Sequence, residues 1–156
     1  GTPLKQALAQ ELSQNGRLIL ISGRYEGVDE RIRSEYVDLE ISIGDYVLTG
    51  GELPAMVIMD AVTRLIPGVL GHERSAREDS FSKSLLDFPH YTRPRVFEGK
   101  KAPEILLSGD HEKIRRWRLE ASVRRTLERR PDLIDESKLT GEELEILKRI
   151  KGETTT

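Results

Sequence analysis

Apolar positions along the chain change period several times, and each change marks a predicted element. Leu4, Leu8 and Leu12 recur every four residues and share one helical face. Thr2 before Pro3 reads as an N-cap with proline at the first helical position, and Asn15-Gly16 as the stop. Leu18-Ile19-Leu20-Ile21 is unbroken, the pattern of a strand covered on both faces in a parallel α/β sheet. No strand precedes the first helix to pair with it, so the expectation is a chain that begins partway through a domain. Val28 to Ser34 predicts a short helix whose Asp29, Glu30, Arg31 and Arg33 form either a solvated face or a substrate contact. Val37, Leu39, Ile41 and Ile43 then alternate with Asp38, Glu40 and Ser42, a strand with one apolar face.

The pattern breaks at Ser42 to Pro54, where Gly44, Gly50 and Gly51 lie between that strand and an apolar helix. Glycine permits positive φ and close ligand approach, so this stretch is either a binding loop or plain turn chemistry. Gly23-Arg24-Tyr25-Glu26-Gly27 leaves the C-terminal end of the first strand, the edge where open α/β sheets bind ligands. Thr49 to Glu52 reads as a capping box for a helix over Leu53 to Ile66. That helix is apolar around most of its circumference, which predicts burial on all sides and a second subunit as part of the cover. Asp60 and Arg64 stand on one face of it at i and i+4, as an ion pair or as site residues.

Pro67-Gly68 ends the helix, and the polar, aperiodic run to Ser80 reads as a linker. The predicted organisation is an α/β domain over 1–68, a flexible linker over 69–80 and a helical domain over 81–156. Within the last, Phe81 to Pro94 is irregular, with the stretch from Leu85 to Tyr91 as an anchor. Ser108 or Asp110 caps a long helix running to Pro131. It carries Lys113, Arg115, Arg116, Arg118, Arg124, Arg125, Arg129 and Arg130 around Trp117, as a nucleic-acid face or a solvated helix with i,i+4 pairs. Leu139 to Leu144 combines a capping box with a hydrophobic staple, turning Leu144, Leu147 and Ile150 inward on a last helix. The Thr-rich end is expected to fray.

Composition narrows the chemistry. With 37% hydrophobic and 33% charged residues and a net charge of −2, binding to nucleic acid must come from local patches rather than bulk charge. The absence of cysteine excludes a disulfide framework, a thiolate nucleophile and Cys-ligated zinc, and agrees with a reducing cytoplasm. No apolar stretch reaches membrane-spanning length. Walker A, GxGxxG, HExxH and EF-hand patterns are missing, and His72, His90 and His111 are too scattered for a metal site. What remains is a non-covalent site of loop backbone, with Arg64, Asp79 and nearby carboxylates as electrostatic and acid-base groups.

Three stretches carry a resemblance: Gly23 to Arg31, Ser42 to Ala55, and Arg115-Arg116-Trp117-Arg118. They resemble the bacterial tRNA (guanine-N1)-methyltransferases of the TrmD type. The similarity continues through Ile66 to Gly71, Glu78 to Phe81 and His90 to Pro94. It implies a SPOUT-class α/β fold whose parallel sheet is threaded by a deep trefoil knot, a rare topology, here without the N-terminal strands, plus a small C-terminal helical domain. It implies S-adenosylmethionine as methyl donor, held by Gly23, Tyr25, Glu26, Ser42, Ile43, Gly44, Asp45, Tyr46, Val47, Leu48, Gly50, Gly51 and Pro54. It places the catalytic pair on Arg64 and Asp79, with methylation at N1 of guanosine 37, next to the tRNA anticodon. The implied partners are a tRNA with guanosine at position 37 and a second copy of the chain, with Arg115, Arg116 and Arg118 on the nucleic acid. Mg²⁺ is an implied cofactor without a visible ligand cluster. The family carries further residues upstream, so this chain alone is expected to bind the donor weakly and to be inactive. The alternatives are a related methyltransferase acting on another base, and a non-catalytic RNA-binding module.

Overall fold

The computed structural model describes residues 1–69, 81 and 84–154. The chain divides into two compact units, Gly1–Ala76 and Arg77–Thr156. The described elements are mixed α/β, with one two-stranded parallel pair and one two-stranded antiparallel pair.

In the first unit, strand β1 (Thr2–Pro3) lies parallel to β2 (Ile41–Ser42), with Thr2 opposite Ile41. The Thr2 N–H donates to the Glu40 carbonyl at 2.7 Å and the Leu4 N–H to the Ser42 carbonyl at 2.8 Å. Pro3 sits between them, where the ladder asks for no donor. This pairing overrides the expected cap: helix α1 is Gln6–Leu12, entered through Lys5 without a side-chain cap. The alternating strand is correspondingly short, because only Ile41 and Ser42 find a partner.

Leu18 to Ile21 forms no strand, and Ile19 is 78% exposed. A strand buried on both faces needs a neighbour for its N–H and C=O groups, and none of the described residues lies alongside as one. Helix α2 is Glu30–Tyr36, two residues later than expected, because Asp29 caps it by accepting the Arg31 N–H at 2.9 Å. Helix α3 is Glu52–Thr63, with Gly51 at its N-cap and no side-chain cap, so the predicted Thr49–Glu52 box does not form. Its last turn tightens beyond Thr63: the Leu65 and Ile66 N–H groups reach back three residues, to Val62 and Thr63.

Helices α1 and α3 close a small core of Ala9, Ile58 and Val62, rimmed by Leu4, Leu12, Ile41, Ala61 and Leu65. Only this side of α3 is covered. Leu53, Met56 and Val57 stay exposed at i, i+3 and i+4, so the all-round burial expected of the helix is not found among the described residues.

The second unit is organised by α4 (His111–Arg129) and α5 (Gly141–Thr154), preceded by an antiparallel pair of β3 (Val96–Phe97) and β4 (Lys100–Lys101) that the sequence did not announce. Asp110 caps α4 as expected, accepting the Lys113 N–H at 3.1 Å. Short 3₁₀ turns cover Glu104–Leu107, Pro131–Leu133 and Glu136–Lys138. The capping box of α5 forms: Glu143 accepts from the Thr140 N–H at 2.7 Å, and the Glu143 N–H donates to the Thr140 hydroxyl at 3.3 Å. Leu85, Val123, Ile146, Leu147 and Ile150 make the core.

A polar strap fixes the segment around Leu86 onto α4. The Leu86 N–H donates to Thr126 Oγ1 at 2.8 Å, and Ser122 Oγ donates to the Leu86 carbonyl at 2.5 Å. Thr126 Oγ1 in turn donates to the Ser122 carbonyl at 2.7 Å, so each buried group has a partner.

Leu147 is 1% exposed at the centre of this core. Leu147→Ala is expected to destabilise the unit by about 2–5 kcal/mol, read from the urea midpoint of α-helical circular dichroism; a midpoint unchanged from wild type contradicts the packing described.

Candidate functional site

The two glycine stretches singled out by the sequence meet in the first unit. The Gly51 N–H donates to the Gly23 carbonyl at 3.0 Å, and Arg24 and Gly50 form an isolated antiparallel bridge. The Ser22 hydroxyl donates to the Gly51 carbonyl at 3.1 Å. Glycine suits this crossing: a Cβ on Gly51 would lie 3.0 Å from both Cα and Cβ of Ser22, tighter than most side-chain contacts. On Gly23 it would lie 3.0 Å from Val28 Cγ2 and 3.2 Å from the Gly27 backbone.

A side-chain pair reinforces the crossing. Arg24 Nε donates to Glu52 Oε1 at 2.5 Å, joining the first loop to the first turn of α3. The hydrogen bond from Arg24 holds the Glu52 carboxyl below its ordinary value. Sequence reasoning assigned Glu52 to a helix cap and gave Arg24 no role. The signal lay in opposite charges next to glycines in both loops.

Beyond the crossing, the Gly27 N–H closes a turn onto the Arg24 carbonyl at 3.0 Å, with Tyr25 at φ 55 and Gly27 at φ 102. Tyr25 is fully exposed at the tip. The segment from Ser42 to Leu48 forms its own turn. Ser42 Oγ accepts the Gly44 N–H at 3.3 Å, and the Tyr46 ring lies where a side chain on Gly44 would stand. Asp45 belongs to this turn; Tyr46, Val47 and Leu48 are exposed. No hydrogen bond among the described residues joins this turn to the Gly23 loop. Gly23, Gly50 and Gly51 are therefore brought together, Glu26 and Pro54 lie close by in sequence, and Ser42 to Leu48 stand as a separate wall.

Arg64 is half-buried at the C-cap of α3, its N–H donating to the Asp60 carbonyl at 3.3 Å. Asp79 lies outside the described residues. No group of three or more His, Asp or Glu side chains placed to hold a metal ion occurs among the described residues, and no helix among them is long and apolar enough to cross a membrane.

On α4 the basic residues differ in availability. Arg115 is held by two carboxylates, donating to Glu112 at 2.7 and 3.1 Å and to Glu142 at 2.9 and 3.0 Å. Arg118 lies over the Phe88 ring, 4.8 Å from its centroid. Arg116 is exposed and makes no ion pair among the described residues.

The family model described as tRNA (Guanine-1)-methyltransferase TrmD matches residues 1–136. The tRNA (guanine-N(1)-)-methyltransferase of Stutzerimonas stutzeri is 65% identical over 147 residues, covering 94% of this chain and 59% of the relative. The protein of the same name from Dictyoglomus turgidum is 59% identical over 153 residues, covering 98% and 62%. That of Pelotomaculum thermopropionicum is 58% identical over 150 residues, covering 96% and 60%. The chain thus spans about three fifths of the length of these curated relatives.

The Arg24–Glu52 pair sets a pH dependence. Because the folded-state carboxyl is lowered, the pair's contribution is complete above the ordinary glutamate range and is lost as pH falls through the lowered value. In Arg24→Met, the Glu52 titration followed by side-chain carbon NMR is expected to move up toward the ordinary glutamate value. A titration that stays in place contradicts the pair.

Proposed function

The chain belongs to the tRNA (guanine-1)-methyltransferase family, and from that footing we propose that it transfers a methyl group from S-adenosylmethionine to N1 of guanosine 37 in tRNA. The observation that carries the reading is the glycine crossing of Ser22–Gly23 with Gly50–Gly51, where two loops that the resemblance assigns to the donor meet. In this reading the donor is held by the crossing, with Tyr25, Glu26 and Pro54 around it, and by the wall of Ser42, Ile43, Gly44, Asp45, Tyr46, Val47 and Leu48. When bound, it supplies a methyl group on a positively charged sulfur.

The chain's own residues then have to solve a proton problem. Guanine N1 carries a proton and is a poor nucleophile until that proton leaves. Asp79 takes it as the bond from N1 to the methyl carbon forms and the bond from sulfur to that carbon breaks, leaving a neutral thioether. Negative charge spreads toward O6 as the proton departs, and Arg64 stabilises it there. A cation so placed acts on the transition state more than on the ground state. The assignment of Asp79 and Arg64 is supported by the resemblance and by the chemistry the reaction demands.

The remaining parts of the proposal are architectural. Residues 1–68 are the C-terminal part of a donor domain with a SPOUT-type knot; 69–80 link it to an RNA-binding domain over 81–156. The exposed stripe of Leu53, Met56 and Val57 on α3 supports burial against a second copy. It continues one turn later to Asp60 and then Arg64, so the partner would border the catalytic cation. Arg115, Arg116 and Arg118 bind the tRNA backbone, with Arg116 the most available of the three.

Methylation is to be assayed with guanosine-37 tRNA transcripts and labelled donor, on protein that carries the whole enzyme length. Asp79→Ala is expected to lower the rate by about 10²–10⁴ while tRNA binding is kept. Mass spectrometry of the digested tRNA is expected to yield 1-methylguanosine, and any other methylated nucleoside overturns the assignment. Arg116→Ala is expected to weaken tRNA binding and reduce the slope of log affinity against log salt by about 0.7–0.9, one phosphate contact. An unchanged slope places that residue off the RNA.

A further inference from the structure

Arg24 and Glu52 stand at the glycine crossing, yet the reaction proposed for this chain gives neither of them a part. Arg24 Nε donates to Glu52 Oε1 at 2.5 Å, between side chains that are 69% and 49% exposed. An ion pair so exposed adds little to the stability of a fold. What distinguishes this one is its place.

The backbone ties of the crossing converge on it. The Gly51 N–H donates to the Gly23 carbonyl, the Ser22 hydroxyl donates to the Gly51 carbonyl, and Arg24 bridges to Gly50. Gly50 makes the room that the pair uses. The Glu52 carboxylate lies where a Cβ on Gly50 would stand, and Arg24 Cγ lies 3.5 Å from that point. Glu52 thus folds back over bare backbone to reach Arg24, and a side chain at position 50 would displace it.

The two partners also belong to different parts of the candidate site. Arg24 lies between Gly23 and Tyr25 in the first loop. Glu52 is the first residue of α3, a helix of 12 residues whose C-cap is Arg64. Such a helix is about 18 Å long, and its i to i−4 hydrogen bonds carry a displacement of the first turn to the last. The core of Ala9, Ile58 and Val62 packs α3 on α1. The tie from α3 to the first loop is made instead at the crossing, with Arg24 and Glu52 as its side-chain part.

We infer that Arg24 and Glu52 are positioning residues, whose pair keeps the first glycine loop in register with α3, so that a donor held by the loop and the Arg64 cation share one fixed geometry. The inference rests on the proposed methyl transfer and adds to it two residues that take no proton and stabilise no developing charge. Rate is far more sensitive to such a register than folding is, since a misplacement of about 1 Å costs on the order of 10²-fold.

The test is a double-mutant cycle on protein that carries the whole enzyme length, assayed with labelled donor and guanosine-37 tRNA. Arg24→Met and Glu52→Ala are each expected to lower kcat by about 10- to 100-fold. Circular dichroism and the thermal midpoint are expected to stay at the wild-type values, and KM for tRNA within about twofold. The double variant is expected to fall no further than the worse single one, because one interaction can be lost only once. Glu52→Gln keeps an oxygen that accepts from Arg24 Nε and is expected to recover most of the rate lost in Glu52→Ala. Unchanged kcat in both single variants overturns the inference, as do losses that multiply in the double variant. A raised KM for tRNA at unchanged kcat also overturns it, assigning the pair to substrate binding. Should Arg24→Met lose its circular dichroism, Glu52→Ala against Glu52→Gln decides, and equal loss in those two overturns the inference. A wild-type enzyme without methyl transfer rejects the proposed function and the positioning role with it, whereas an active wild type with unaffected variants rejects the positioning role alone.

Discussion

Two lengths of backbone, Ser22–Gly23 and Gly50–Gly51, pass so close that a side chain on Gly51 would press on Ser22 at 3.0 Å, and the candidate site follows from that approach. The Gly51 N–H and the Gly23 carbonyl satisfy each other across it, so the chain makes a tight crossing outside any sheet without stranding polar groups. Arg24 and Glu52 close the same crossing with a charged pair on its solvent side. Such an exposed pair contributes little to global stability. Its value is positional, because it ties the first loop to the start of the helix that carries Arg64.

The second unit meets a different constraint. The segment around Leu86 has no strand or helix partner for its backbone, and Ser122 and Thr126 on α4 supply the donor and acceptor instead. These two hydroxyl residues are buried in the middle of an otherwise apolar contact among Leu85, Val123 and Leu147. Removing either partner would leave a buried polar group unsatisfied, which costs about 1–3 kcal/mol. The strap holds the following residues, Phe88 to Tyr91, against α4, where Arg118 lies over the Phe88 ring and Trp117 faces the Tyr91 ring at 6.4 Å.

The first unit leaves much apolar surface uncovered. Leu18 to Ile21, Leu53, Met56, Val57 and Met59 are all exposed, while the core of that unit holds three buried apolar residues among those described. Apolar surface on this scale marks an interaction face. The chain spans about three fifths of the length of its relatives. The second unit shows no comparable excess, because α4 and α5 turn their apolar faces toward each other.

Local signals were enough for the elements whose stabilising contacts are themselves local. Helix α4 with its Asp110 cap, the Thr140–Glu143 box of α5 and the inward Leu147 and Ile150 are readable because caps and i,i+4 faces involve neighbours in sequence. The glycines that mark the candidate site were legible for the same reason: their permissiveness is written in residue type. Wherever a partner distant in sequence competed, tertiary structure decided. Thr2 and Pro3 form a strand because Ile41 and Ser42 offer a ladder; Glu52 abandons its cap for Arg24, 28 residues away; and Arg115 is held by Glu142, 27 residues along. Leu18 to Ile21 carries every residue-level mark of a strand, yet no strand forms, because a strand is a property of two chain segments and residue pattern describes one. That the two glycine loops meet, and that Arg118 lies over Phe88, likewise depends on which backbone groups find partners in three dimensions.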